Sequence, residues 1–145
     1  MTTIVEAINL KKTYMLGKIP VEALRGVNLK VETGDFVSIL GPSGSGKSTM
    51  LNLIGALDKP TSGTLLIDGV DISTLNDNQL SDLRKRVGFV FQFFNLIPTL
   101  TVRENVLLTA ELNGWKENTA NTQANKLLDA VGLLDRANVF PDKLS

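Results

Sequence analysis

Gly41-Pro42-Ser43-Gly44-Ser45-Gly46-Lys47-Ser48 is the stretch that decides the fold. It satisfies the pattern G-x-x-x-x-G-K-[ST] at every fixed position. The flanks agree with the pattern: Phe36 to Leu40 is a short apolar run before it, and Met50, Leu53, Ile54 and Leu57 recur at helical spacing after it. Strand, glycine loop, helix is the context in which this pattern carries chemistry. Glycines let successive backbone N–H groups turn inward and form an anion nest with no Cβ in the way. The helix N-terminus adds its positive dipole end. Lys47 supplies a compact charge for β- and γ-phosphates, the Ser48 hydroxyl a Mg²⁺ ligand, and Thr49 a further phosphate contact.

Working outward, strands and helices alternate, which indicates an α/β domain. Ile4 to Leu10 reads as a strand closed by Lys11-Lys12. Val27, Leu29 and Val31 alternate with Asn28, Lys30 and Glu32, the period of a half-buried strand. Phe36–Leu40 and Val87–Phe91 read as buried strands of a parallel sheet. Thr64 to Ile67 is a further strand, and Asp68-Gly69 a tight turn. Helices are expected over Asn76 to Arg86, from Thr101 to about Leu112, and along Ala120, Ala124, Leu127, Leu128 and Val131. Thr101-Val102-Arg103-Glu104 is a capping-box pattern opening the second of these.

Composition excludes several chemistries. There is no Cys and no His, so disulfides, thiolate or imidazole metal sites and His-based triads are absent from these residues. Any catalytic base is a carboxylate or Lys, or comes from elsewhere. Fifteen basic and fifteen acidic residues balance, against broad nucleic-acid binding. Arg84-Lys85-Arg86 lacks aromatic partners and reads as a solvated helix end. Nothing approaches the roughly 18 apolar residues of a membrane span. With no export signal at Met1 to Glu6, the expected compartment is the cytoplasm.

Other phosphate-loop classes fit less well. A guanine-reading Asn-Lys-x-Asp is not matched by Asn125-Lys126-Leu127-Leu128-Asp129, which has one residue too many and lies within a helical pattern. A single-chain kinase needs an acceptor site and an Arg-rich lid, and neither is visible.

The residues resemble the ATP-binding subunits of ABC transporters. Gly34 to Thr49 looks like that family's phosphate-loop block, and Asp58-Lys59-Pro60-Thr61-Ser62-Gly63 with Asp68-Gly69 like its following β segment. Phe89-Val90-Phe91-Gln92-Phe93-Phe94-Asn95-Leu96-Ile97-Pro98 resembles its Q-loop region, with Thr101 to Val106 beginning its helical subdomain. The wording is similar to the lipoprotein-releasing and macrolide-export branch. The resemblance implies a P-loop core with an N-terminal antiparallel β segment, an incomplete parallel sheet and the start of a helical subdomain. On this basis the chain is a partial nucleotide-binding domain over 1–145. About 1–92 would form the core and β segment, and about 93–145 the Q-loop and helical subdomain.

Carried over by position, the ATP site comprises Tyr14, Gly41, Pro42, Ser43, Gly44, Ser45, Gly46, Lys47, Ser48, Thr49 and Gln92. Ser48 and Gln92 would face Mg²⁺, Gln92 would also reach the attacking water, and Tyr14 would stack on adenine. On the residues alone, Gln92 is a polar residue closing an apolar strand, and Tyr14 a partly buried surface tyrosine. Phe93 to Pro98 would face a membrane permease. The implied partners are a second ATPase subunit, joined as a homodimer on ATP binding, and integral membrane permease subunits. The implied location is the inner face of the plasma membrane.

Leu144-Ser145 resembles the first two residues of the family's Leu-Ser-Gly-Gly-Gln signature. The second acidic strand, the catalytic Glu and the switch His would follow it. The expectation is therefore a front half of a hydrolysing subunit, exporting or releasing a substrate. The alternative is a truncated nucleotide-binding module without hydrolysis. Leu65-Leu66-Ile67-Asp68 mimics an apolar strand ending in a metal-binding Asp, but Gly69 marks a turn instead. A core sheet lacking later strands would expose apolar edges, so the isolated 145 residues are expected to be poorly soluble or molten.

Overall fold

The computed structural model describes residues 2–144. The chain separates into two compact units, Met1–Phe89 and Val90–Ser145.

The first unit is built on an antiparallel sheet. Strand β1 spans Thr3–Leu16 and β2 spans Ile19–Glu32. They form a long hairpin whose last pair is Leu16↔Ile19. Strand β3 (Ser62–Ile67) pairs with the other edge of β1, and β4 (Val70–Asp71) with β3, giving the order β2-β1-β3-β4. Val5, Ala7 and Leu10 of β1 point into a core with Leu65 and Ile67 of β3. The alternation at Val27, Leu29 and Val31 holds: these are half-buried against that core, while Asn28 and Lys30 are exposed. Asp68 (φ 50) and Gly69 (φ 77) carry the two-residue turn between β3 and β4, with Ile67 paired to Val70.

Two helices complete this core. Helix α1 spans Lys47–Ile54 and buries Met50 and Leu53. Leu53 and Leu65 are fully buried, each stabilising the fold by roughly 1.5–3 kcal/mol through removal of its side chain from water. Helix α2 spans Asp77–Arg84 and buries Leu80 and Leu83. Its start is fixed by a reciprocal pair. The Gln79 N–H donates to Asn76 Oδ1 at 3.0 Å, and the Asn76 N–H donates to Gln79 Oε1 at 2.9 Å. The basic triplet at its end is taken up within the unit. Arg84 Nε donates to the Ala56 carbonyl at 2.8 Å, Lys85 pairs with Asp82, and Arg86 pairs with Asp68. Asp68 therefore serves a turn and an ion pair.

The second unit holds helices α3 (Val102–Leu112) and α4 (Glu117–Ala130). The capping box expected at Thr101 is present: the Glu104 N–H donates to Thr101 Oγ1, and the Thr101 N–H donates to Glu104 Oε2 at 2.7 Å. Those donors, the Thr101 N–H first and its hydroxyl second, hold the Glu104 carboxyl below its usual range. Asn105 ties the preceding loop to α3. Its side chain donates to the carbonyls of Ile97, Leu100 and Thr101 and accepts from the Ile97 N–H. Helix α4 buries Ala120, Ala124 and Leu128, one residue per turn. Leu127 and Val131, expected on the same face, are exposed.

Two expectations are corrected. Phe36–Leu40 and Val87–Phe91 are not strands, and all strand pairing among the described residues is antiparallel. The physical reason lies in strand pairing. A strand forms beside a neighbouring strand, and neither run belongs to the four-stranded sheet. Phe36, Leu40 and Val90 are almost fully exposed instead of buried, at 97%, 89% and 95%. Val37 and Ile39 line a mostly apolar cavity of about 430 Å³ with Val5, Leu29, Val31, Leu51 and Ile54, which Lys47 and Ser48 also border. Sequence pattern also stopped β1 too early, at Leu10. Its continuation through Lys11–Leu16 is polar on one side and depends on hairpin pairing with Ile19–Arg25.

Candidate functional site

The glycine loop lies between the non-strand run 36–40 and α1, and its geometry follows from its residues. Gly44 (φ 79) and Gly46 (φ 90) both adopt the left-handed region that side chains disfavour. Gly46 is the N-cap residue of α1, and no side chain caps that helix end. At Gly46 glycine is required twice over: a Cβ there would sit 2.5 Å from the Ala23 carbonyl oxygen and 2.9 Å from Leu24 Cδ2. The loop can only press this closely on β2 without a side chain.

Lys47 opens α1 and folds back over the loop. Its Nζ donates to the carbonyls of Gly41 at 2.8 Å and Pro42 at 2.7 Å. The ammonium is thus held at the mouth of the loop. Ser43 and Ser48 are exposed, and Thr49 is half-buried. The cradle fits a polyphosphate: inward-capable N–H groups, an uncapped helix start and one positioned cation meet at one place. No group of three or more acidic residues that could hold a metal occurs among the described residues. A Mg²⁺ ion at this site would therefore draw its oxygen ligands mainly from phosphate and the Ser48 hydroxyl, in keeping with its preference for substrate oxygens.

Tyr14 lies toward the hairpin end of β1, paired to Val21, and is 38% exposed. Its hydroxyl donates to Asp58 Oδ2 at 3.0 Å. The Lys12 Nζ stands 4.9 Å from the centre of its ring. Partial burial and the Asp58 hydrogen bond push the phenol pKa up, while a side-chain hydrogen bond with Thr49 works in the opposite direction. Asp58 was read from sequence only as the start of a stretch resembling the family's β segment, and no motif marked Lys12. The signal that could have found them is weak: a Lys-x-Tyr alternation placing both side chains on one face of the strand.

Gln92 belongs to the second unit, where it is exposed in a turn. Phe93 and Phe94 beside it are each 80% exposed, and Phe94 (φ 62) and Asn95 (φ 49) hold left-handed conformations. The strand end expected for Gln92 is replaced by this turn, and the preceding Val87–Phe91 is not a strand. Asn125 to Asp129 lies inside α4 with Leu128 buried, a helix segment and not a base-reading loop.

A glycine cradle feeding a helix, beside an antiparallel β segment and followed by a helical unit, defines a class of phosphate-loop α/β domains. Residues 24–145 match the family model described as ABC transporter, and the chain belongs to that family. An uncharacterized ABC transporter ATP-binding protein of Thermotoga maritima is 46% identical over 100% of this chain and 62% of its own length. The lipoprotein-releasing system ATP-binding protein LolD of Saccharophagus degradans is 43% identical over 99% of this chain and 64% of its length. The macrolide export ATP-binding/permease protein MacB of Brucella abortus is 48% identical over 92% of this chain and 21% of its length. Among solved structures, the ATP-binding cassette MJ0796, a dimer in a post-hydrolysis state bound to ADP and Pi, superposes with a TM-score of 0.88. It is 45% identical, covering 97% of this chain and 63% of that one. The chain thus spans 62% of the Thermotoga relative's length. The expected resemblance to the lipoprotein-releasing and macrolide-export branch agrees with these relatives, as does the α/β fold class with its N-terminal antiparallel segment.

Proposed function

We propose that this chain is the ATP-binding part of an ABC transporter ATPase subunit that powers export or release of a substrate through a membrane permease. The observation that carries the reading is the loop geometry: two glycines at positive φ, an uncapped α1 start, and Lys47 Nζ held over the loop carbonyls. Gly41, Pro42, Ser43, Gly44, Ser45, Gly46, Lys47, Ser48 and Thr49 hold the phosphates. Ser48 is the ligand offered to Mg²⁺, which when bound neutralises phosphate charge. Tyr14 takes the adenine ring.

Hydrolysis is a property proposed for the whole protein. The loop residues bind and orient phosphate, and none of them is acidic, so the share assigned to the loop is nucleotide capture and not proton transfer. The MJ0796 dimer supports a second ATPase subunit as a partner, and the joined ATP-binding and permease parts of MacB support a permease. No helix among the described residues is long and apolar enough to cross a membrane. Placement on the cytoplasmic face, bound to a permease, fits the relatives. The division of the subunit into a core to about residue 92 and a helical part from about residue 93 belongs to the same proposal.

The test is Lys47→Ala in titration calorimetry with ATP. Loss of measurable binding is expected, because the cation held over the loop carbonyls is gone. Unchanged affinity would end the reading.

A further inference from the structure

We infer that Asp58 is a positioning residue for Tyr14, presetting the ring as a one-sided platform for a nucleotide base; this rests on the proposed base-stacking role of Tyr14. Asp58 follows α1 by four residues, so one short element connects the phosphate loop at its start to Asp58 beyond its end.

The carboxylate is itself held from three sides. Its Oδ1 accepts from Lys12 Nζ at 2.6 Å and from the Lys59 N–H at 2.7 Å. Its other oxygen accepts the Tyr14 hydroxyl. Lys12 in turn donates to the Lys59 carbonyl at 2.7 Å, and its side chain is only 12% exposed. Two further bonds strap the same segment to β1: the Thr61 N–H donates to the Lys11 carbonyl at 2.9 Å, and the Thr13 N–H donates to Thr61 Oγ1 at 3.0 Å. Asp58 is therefore a fixed acceptor, and a fixed acceptor at the tip of a tyrosine removes the freedom of the ring.

Lys12 adds the sidedness. Its ammonium stands over the Tyr14 ring, in the range of a cation–π contact, and is anchored there by Asp58. A flat base stacking on Tyr14 must then use the face away from Lys12. Ordering the ring before the ligand arrives lowers the entropy cost of binding, and the gain falls on the base alone. The raised pKa of the phenol agrees with a hydroxyl committed to a carboxylate.

The experiment measures affinity of the intact protein for MgATP and, separately, for magnesium tripolyphosphate, which has no base. Variants are Tyr14→Ala, Tyr14→Phe, Asp58→Asn, and Tyr14→Phe combined with Asp58→Asn. Tyr14→Phe keeps the ring and removes the hydroxyl that donates to Asp58, so it does not depend on tolerance of a change at position 58. Tyr14→Phe and Asp58→Asn are each expected to weaken MgATP about three- to tenfold and to leave tripolyphosphate unchanged. The double variant should be no weaker than the worse single one, because Tyr14→Phe removes the hydrogen bond that Asp58→Asn weakens by taking away its charge. If Tyr14→Ala weakens MgATP while Tyr14→Phe does not, the positioning role is overturned and stacking survives. Additive losses in the double variant, or equal losses for tripolyphosphate, also overturn it. If even Tyr14→Ala binds MgATP normally, the stacking reading falls, and the positioning role with it.

Discussion

Gly46→Ala should destabilise this protein far more than Gly44→Ala, although both glycines lie in one loop at similar positive φ. At Gly44 (φ 79) an added Cβ meets nothing within 4 Å. Only the conformational strain of a left-handed alanine applies, about 1–3 kcal/mol. It is offset by about 0.4–1 kcal/mol because alanine restricts the unfolded chain. At Gly46 (φ 90) the same two effects operate, and the Cβ also lands 2.5 Å from the Ala23 oxygen. That oxygen cannot swing away cheaply. It belongs to β2, whose next residue Leu24 is buried and paired to Lys12. Overpacking of this kind costs a further 1–3 kcal/mol or so. Gly46→Ala should therefore lose about 2–5 kcal/mol, and Gly44→Ala about 0.5–2. The assay is urea unfolding of the intact protein, comparing midpoints and slopes for wild type and both variants. Equal midpoint shifts for the two variants would refute the reasoning, because they would show that contact with β2 carries no weight.

Thr101→Ala should cost about 1 kcal/mol by removing the side-chain cap of α3, read as a lowered unfolding midpoint with an unchanged slope; no shift would mean the cap is replaced by water. The Asp58 carboxyl gives a pH signature. Partial burial alone raises its pKa, but the Lys12, Lys59 and Tyr14 donors outweigh it, and the net direction is downward. A depressed carboxylate contributes stability that is present above its unfolded value, about 3.9, and is lost as pH falls below that toward the folded value. Wild type should therefore lose more stability than Asp58→Asn between about pH 5 and pH 3; parallel acid profiles would contradict the ion-pair assignment.

Much of the site was legible because its chemistry is local. Gly44, Gly46 and Lys47 are fixed by backbone needs and charge within eight residues, and a pattern of adjacent residues states those needs directly. The cap at Thr101 involves residues three apart, which the sequence shows close together. The turn at Asp68-Gly69 likewise demands two positive φ angles that its own residues supply.

What tertiary structure decided is whatever depends on a distant partner. Phe36–Leu40 and Val87–Phe91 have strand-like composition, yet a strand exists only when another strand satisfies its ladder, and no local rule reveals whether one is at hand. The extension of β1 past Lys11 arises from pairing with β2, whereas its own residues alternate too weakly to announce it. The Lys12–Tyr14–Asp58 cluster joins residues 44 to 46 positions apart in the chain, and only folding β1 against the segment after α1 brings them within hydrogen-bonding distance. Sequence alone determined the phosphate loop, its helix and the family, because those rest on contiguous residues. The surroundings of the Tyr14 ring, and the fate of each apolar run, were settled by contacts between segments that the order of residues does not place together.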